Sequence, residues 1–137
     1  MAEDWNSKII SEFRANEGKV GGMFGGMPLL LLHTTGAKSG SQRVNPVAYR
    51  ADGDALVVFA SKGGAPVNPD WYHNLRANPK VTVEIGTDNR EMVARVAEGD
   101  ERHRHWEAQK IEFPNFAEYE SKTDRQIPVV ILDPVSA

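Results

Sequence analysis

The chain has 137 residues and a formal net charge of −3, with 40% hydrophobic and 26% charged residues and no cysteine. That length suits one domain with a real core, and the missing cysteines exclude a disulfide framework and thiolate chemistry. An acidic balance with sequence pI near 5.8 argues against a dedicated nucleic-acid binder.

Residues 1–18 read as an amphipathic helix, with Trp5, Ile9 and Phe13 at i, i+4 and i+8 and Ile10 widening the stripe. Asp4, Glu12 and Glu17 exclude a secretory signal, and no apolar run approaches transmembrane length. A cytoplasmic location is the expectation. The mixed charges of this helix argue for packing on the domain or lid duty, with at most weak peripheral contact at the inner face of the membrane. Residues 19–28 follow as a glycine-rich linker, with neither the strand before nor the helix after that a phosphate loop requires.

The domain proper spans 29–137. Leu29 to Leu32 suits a strand buried on both faces. The loop Gly36 to Arg43 leads to a strand over Val44–Arg50, and Asp52-Gly53-Asp54 signals a hairpin into a strand over Ala55–Ala60. A second loop, Ser61-Lys62-Gly63-Gly64, precedes a helix with Asn68 as N-cap and Pro69 at its first position, running to Ala77. Strands over Val81–Ile85 and Arg90–Val96 flank a turn at Gly86–Asn89. Helices over Gly99–Phe113 and Asn115–Lys122 come next, and a strand over Pro128–Leu132 closes the order. Hairpins dominate, so the fold class is α+β: a mostly antiparallel barrel, whose closure removes exposed edges, with peripheral helices.

Both loops join small residues to a cation directly after an apolar run. Lys38, Arg43 and Lys62 in an acidic protein imply an anion gripped locally, with loop N–H groups as further donors. Neighbouring hairpins of a barrel can present both loops on one rim. The Gly-Ala-Lys-Ser-Gly sequence is not a Walker loop, because Lys38 precedes Ser39-Gly40 and a strand follows. Arg43 can hold a phosphate or carboxylate bidentately, and Asn45 can serve a heterocycle edge. Trp71 has the spacing of a core residue with Leu75, and ring stacking is its alternative use. Phe113, Phe116 and Tyr119 can wall a flat substrate, with Tyr119 as a hydrogen-bond donor. The four histidines lack metal-ligand spacing, so no metal is expected.

Leu29 to Gly36, Lys38-Ser39-Gly40, Arg43 to Pro46, Ala60 to Gly64, Asn68 to Leu75, Ala77-Asn78-Pro79 and Lys122 to Pro128, in that order, resemble the deazaflavin-dependent nitroreductase family of actinobacteria. The resemblance implies a split β-barrel that binds coenzyme F420, a deazaflavin bearing a phosphate and an oligoglutamate tail. It implies that Lys38, Ser39 and Arg43 hold the anionic part. It places Asn45, Pro46, Ala60, Ser61, Lys62 and Gly63 along the ring and its linker, with Trp71 and Asn74 as further contacts. Tyr119 and Ser61 are the candidate catalytic residues. Ala48, Phe113, Phe116 and Tyr119 line the substrate pocket, where relatives carry more tyrosines, so quinone reduction is favoured over that of bicyclic nitroimidazoles. The implied activity is hydride transfer from the reduced cofactor to a small planar acceptor, a quinone or nitroaromatic, with no nucleic-acid partner. An FMN-binding barrel enzyme and a non-catalytic deazaflavin carrier are the alternatives. The sequence does not fix the oligomeric state.

Overall fold

The apolar run at Leu29 opens a strand, β1 (Leu29–Thr35), and Leu29 to Leu32 are each no more than 5% exposed. Burial on both faces has two sources. Leu30 and Leu32 point into a barrel core with Val47, Leu56, Val58, Val83 and Val130. Leu29 and Leu31 point outward against Ile9 and Phe13 of an N-terminal helix, α1 (Ala2–Ala15). The computed structural model describes residues 2–16, 28–61, 67–124 and 126–135, with side chains from Lys8 onward. The side chain of Trp5 and most of the expected linker therefore lie outside the described residues.

The remaining elements are β2 (Gln42–Asp52), β3 (Ala55–Phe59), α2 (Asp70–Ala77), β4 (Lys80–Ile85), β5 (Asp88–Val96), α3 (Gly99–Glu112), α4 (Asn115–Ser121) and β6 (Val129–Pro134). The strands form a closed barrel in the order β1-β2-β3-β6-β5-β4, every neighbouring pair antiparallel. Closure pairs each strand on both sides, so the barrel has no open edge. The expected α+β split barrel with peripheral helices is the observed architecture.

Boundaries shift by one to three residues. The first loop contracts to Gly36–Ser41, because Thr35 pairs with Gln42. α2 starts at Asp70 with Pro69 at the N-cap position, one residue later than expected, since Pro69 is extended (ψ 154°). β5 starts at Asp88, opposite Ile85, so the turn before it is shorter than its sequence suggests. Trp71, Tyr72 and Leu75 of α2 join the barrel core, so this helix plugs one barrel end. Trp106 of α3 and Phe116 of α4 cover the outer side of β3 and β6 through Val57, Phe59, Val129 and Ile131.

Candidate functional site

β1 and β3 are both antiparallel to β2, so they run the same way and end at the same rim. The loop after β1 and the chain leaving β3 therefore share one end of the barrel, where α2 also sits. Of the second loop, Ser61 is described and buried, whereas Lys62 and Gly63 lie outside the described residues.

The first loop is built differently from a free anion cradle. The N–H groups of Gly36, Gly40, Ala37 and Ser41 donate to Ser41 O (2.7 Å), Gly36 O (3.0 Å), Asn74 Oδ1 (3.0 Å) and Ser39 Oγ (3.2 Å). Those donors are used within the fold, which corrects the expectation that loop N–H groups serve the ligand generally. Among the described residues, the N–H groups of Lys38 and Ser39 have no such partner. The side chains of Lys38 and Arg43 are exposed and likewise form no ion pair or hydrogen bond with a described residue. Every other described arginine is engaged: Arg14, Arg50, Arg90, Arg95 and Arg104 in ion pairs, Arg102 with a carbonyl, Arg76 over the Tyr72 ring. An anion at this rim would meet Lys38 and Arg43 uncommitted.

Three expected cofactor contacts have structural roles. Trp71 is 6% exposed and packs inside the barrel, because its face of α2 is the plug. Asn74 Nδ2 donates to Thr34 Oγ1 (3.3 Å) while its Oδ1 holds Ala37, so its amide braces the loop. Ser39 Oγ is likewise an acceptor within the loop. The space beside Gly36 is tight: a Cβ there would lie 2.6 Å from Ser39 Oγ and 3.3 Å from Ser41 O.

Strand register divides the Asn45-Pro46 pair. Asn45 lies opposite Leu32 on the inner-facing side, and Pro46 lies opposite Leu31 on the outer side. Ala60 belongs to the inner core and is fully buried. β2 thus carries Arg43 and Asn45 on one face at the rim, and Pro46, Ala48 and Arg50 on the outer face.

The outer face holds the pocket candidates. Ala48 packs against both the α1 cluster and the α3–α4 cluster, so it is the floor between them. Phe113 and Tyr119 are partly buried against the same α3–α4 cluster. Phe116, at 3% exposed, stands behind them in edge contact with Tyr119 (centroids 5.2 Å) and Phe59 (5.8 Å), so it supports the wall without forming its surface. Asn115 Nδ2 donates to Tyr119 Oη at 3.0 Å. α4 is held to α3 by Glu120, which accepts from Trp106 Nε1 and pairs with Lys110 (3.0 Å). Below Ala48, Arg50 donates to Gln109 Oε1 (3.4 Å) and pairs with Glu112.

The sequence reading missed the ionic cluster that docks α1. Arg14 Nε and Nη2 donate to Glu84 Oε1 (3.1 Å) and Oε2 (2.7 Å), and His33 Nε2 lies 2.6 Å from Oε2. The two bonds from Arg14, with a smaller contribution from His33, hold the Glu84 carboxyl below its usual range. These partners are 70 and 51 residues apart in sequence, so no local spacing could reveal them. Asn115 was also missed, although its i, i+4 relation to Tyr119 is a helical-face signal.

A closed antiparallel barrel with helices on its outer side and a cationic rim is a split-barrel architecture. Within that class the comparison with known proteins is specific. The sequence profile of the F420H(2)-dependent quinone reductase family matches residues 5–134, and the chain belongs to that family. It is 40% identical over 124 residues to an F420H(2)-dependent quinone reductase of Mycobacterium tuberculosis, covering 88% of this chain and 83% of that protein. Among solved structures it is similar to an F420-H2 dependent reductase, FDR-A, with a TM-score of 0.71 and 43% identity, covering 77% of this chain and 94% of that one. It is also similar to a chain solved as a domain-swapped dimer, with a TM-score of 0.73 and 38% identity, covering 97% and 100% of the two chains.

Proposed function

We infer that this chain is an F420H(2)-dependent oxidoreductase that reduces a quinone. The observation that carries the reading is the family match over residues 5–134. The structure's residues fit the cofactor. Its phosphate and acidic tail need cations without internal partners, and Lys38 and Arg43 meet that need at the rim. Its flat ring needs an apolar surface beyond the rim, and Pro46, Ala48, Phe113 and Tyr119 provide one. Ser61, directly after the rim end of β3, and Lys62 and Gly63, which follow it in sequence, complete the proposed cofactor contacts, with Asn45 opposite Leu32. Asn74 acts in this reading through the loop it braces.

When bound, the reduced deazaflavin supplies a hydride, and one proton then completes the hydroquinone. The protein's part is to stack the quinone flat between the ring and the aromatic wall and to exclude water there. Lys38 and Arg43 anchor the anionic end so that the ring is held in register. Tyr119 Oη is the hydroxyl in the wall that would meet a quinone oxygen as it gains charge. With Ala48 and Phe113 apolar, the wall has few donors for a polar nitroimidazole, so quinones are the preferred acceptors and nitro reduction is a side activity.

The proposed setting of this activity is the cytoplasm. α1 buries Ile9 and Phe13 on the barrel, which leaves them unavailable for membrane anchoring. The test is steady-state turnover with reduced coenzyme F420 against menadione and a bicyclic nitroimidazole. Menadione turnover well above nitroimidazole turnover supports the reading. Tight deazaflavin binding without turnover of either acceptor would make the protein a carrier instead.

A further inference from the structure

We propose that Asn115 is a positioning residue for the reaction: its side-chain amide holds the Tyr119 hydroxyl as a committed hydrogen-bond donor toward the acceptor. The inference rests on the quinone reductase reading and assigns a role that sequence reasoning had not given this residue.

A phenol hydroxyl has one hydrogen to donate and lone pairs that accept. Here Asn115 Nδ2 donates to Tyr119 Oη at 3.0 Å, one helical turn away on α4. The lone pair facing Asn115 is thereby occupied by an incoming N–H, and the hydroxyl's own hydrogen must point elsewhere. The ring is fixed as well. Phe116 meets it edge-on at 5.2 Å and 72°, and Lys122 Nζ lies 6.0 Å from its centroid. α4 itself is tied down through Glu120 to Trp106 and Lys110. Ring and oxygen are therefore located, and both Asn115 and Tyr119 stay partly exposed. The free O–H direction is the remaining variable, and Asn115 removes the choice of donating back into the helix. An N–H donated to Oη also polarises its O–H, which strengthens the bond that hydroxyl gives to a quinone oxygen gaining negative charge.

Asn115→Asp separates this role from a structural one. The carboxylate is nearly isosteric and suits the first turn of a helix, so the fold is retained. It can only accept, so it captures the Tyr119 hydrogen and turns the donor away from the acceptor. Asn115→Ala removes the bond without capturing the hydrogen.

The experiment measures kcat and KM for menadione with reduced coenzyme F420, on the full chain, for wild type, Asn115→Ala, Asn115→Asp, Tyr119→Phe and the double variant Asn115→Ala/Tyr119→Phe. Cofactor titration and thermal melting accompany each. The expected result is a kcat about tenfold lower in Asn115→Ala and lower again in Asn115→Asp at neutral pH, with KM and cofactor affinity within about twofold. The Asn115→Asp deficit shrinks as the pH falls through the carboxylate range, because the protonated carboxyl can donate. The double variant matches Tyr119→Phe, because Asn115 acts only through Oη. Wild-type turnover with kcat unchanged in both Asn115 variants overturns the inference and leaves the quinone reductase reading standing. So does a kcat loss that follows melting temperature across the series. A wild-type protein that neither binds the deazaflavin nor reduces menadione overturns both.

Discussion

Replacing Glu84 with glutamine tests the docking of α1, the helix whose Ile9 and Phe13 pack on β1 beside Ala48. Glutamine keeps the shape of the side chain and removes its charge. The wild-type carboxylate accepts from Arg14 at 3.1 and 2.7 Å and lies 2.6 Å from His33 Nε2. The Arg14 side chain is 52% exposed, so solvent screens its share, while Glu84 itself is 17% exposed. Charge-assisted bonds discounted for that exposure leave a loss of about 1–2 kcal/mol at neutral pH. The pH dependence has a definite sign. Arg14's bonds first, then His33's, hold the folded carboxyl below its ordinary value of 4.5, so the unfolded chain takes up a proton more readily. The stabilisation is complete above that ordinary value and is lost as the pH falls through the depressed one. Urea unfolding of wild type and Glu84→Gln at a series of pH values measures this directly. The two proteins should differ by the full amount near neutrality and converge as the pH falls below the depressed value. Limited proteolysis should cut the variant first in or beside α1. A difference that does not change with pH, or one under about 0.3 kcal/mol at neutrality, would refute the docking role.

The double change Lys38→Ala with Arg43→Ala should weaken coenzyme F420 binding roughly 10- to 100-fold and flatten its salt dependence, read by fluorescence titration at two ionic strengths. Normal binding would remove both residues from the anion site. Gly36→Ala should lower stability by about 1 kcal/mol through the 2.6 Å approach to Ser39 Oγ, and adding Ser39→Ala should restore most of it, as followed by thermal melting. A single variant that melts like wild type would mean that the loop adjusts freely. Burial pushes the imidazole of His105 down despite Asp52 at 3.4 Å, so the unfolded chain binds its proton more readily and stability falls as the pH drops below about 6.5. His105→Gln should flatten the stability profile just below about pH 6.5; an unchanged profile would assign that slope to other groups.

Features encoded by adjacent residues were legible in the sequence. Four successive leucines announced a strand buried on both faces, and hairpin connectivity allowed for a shared rim. Lys38 in the first loop pointed to that rim because a lysine beside glycines is local information. Other parts depended on partners far away in the chain. Nothing in Gly36–Ser41 reveals that Asn74 and the loop's own carbonyls take its N–H groups, so its donor capacity was overestimated. Asn45 and Pro46 look like one site element until β1 fixes the register and sends them to opposite faces. Trp71 carries one spacing for two uses, and the end-plug position of α2 decides for packing. Arg14, His33 and Glu84 come from three different elements, so their cluster is a product of barrel closure and helix docking.

The most direct test of the account is a fluorescence titration of the purified protein with coenzyme F420, run beside FMN. Saturable binding that favours the deazaflavin, and that weakens in the Lys38→Ala/Arg43→Ala variant, is the predicted result. Preferential binding of FMN, or binding of neither, would contradict it.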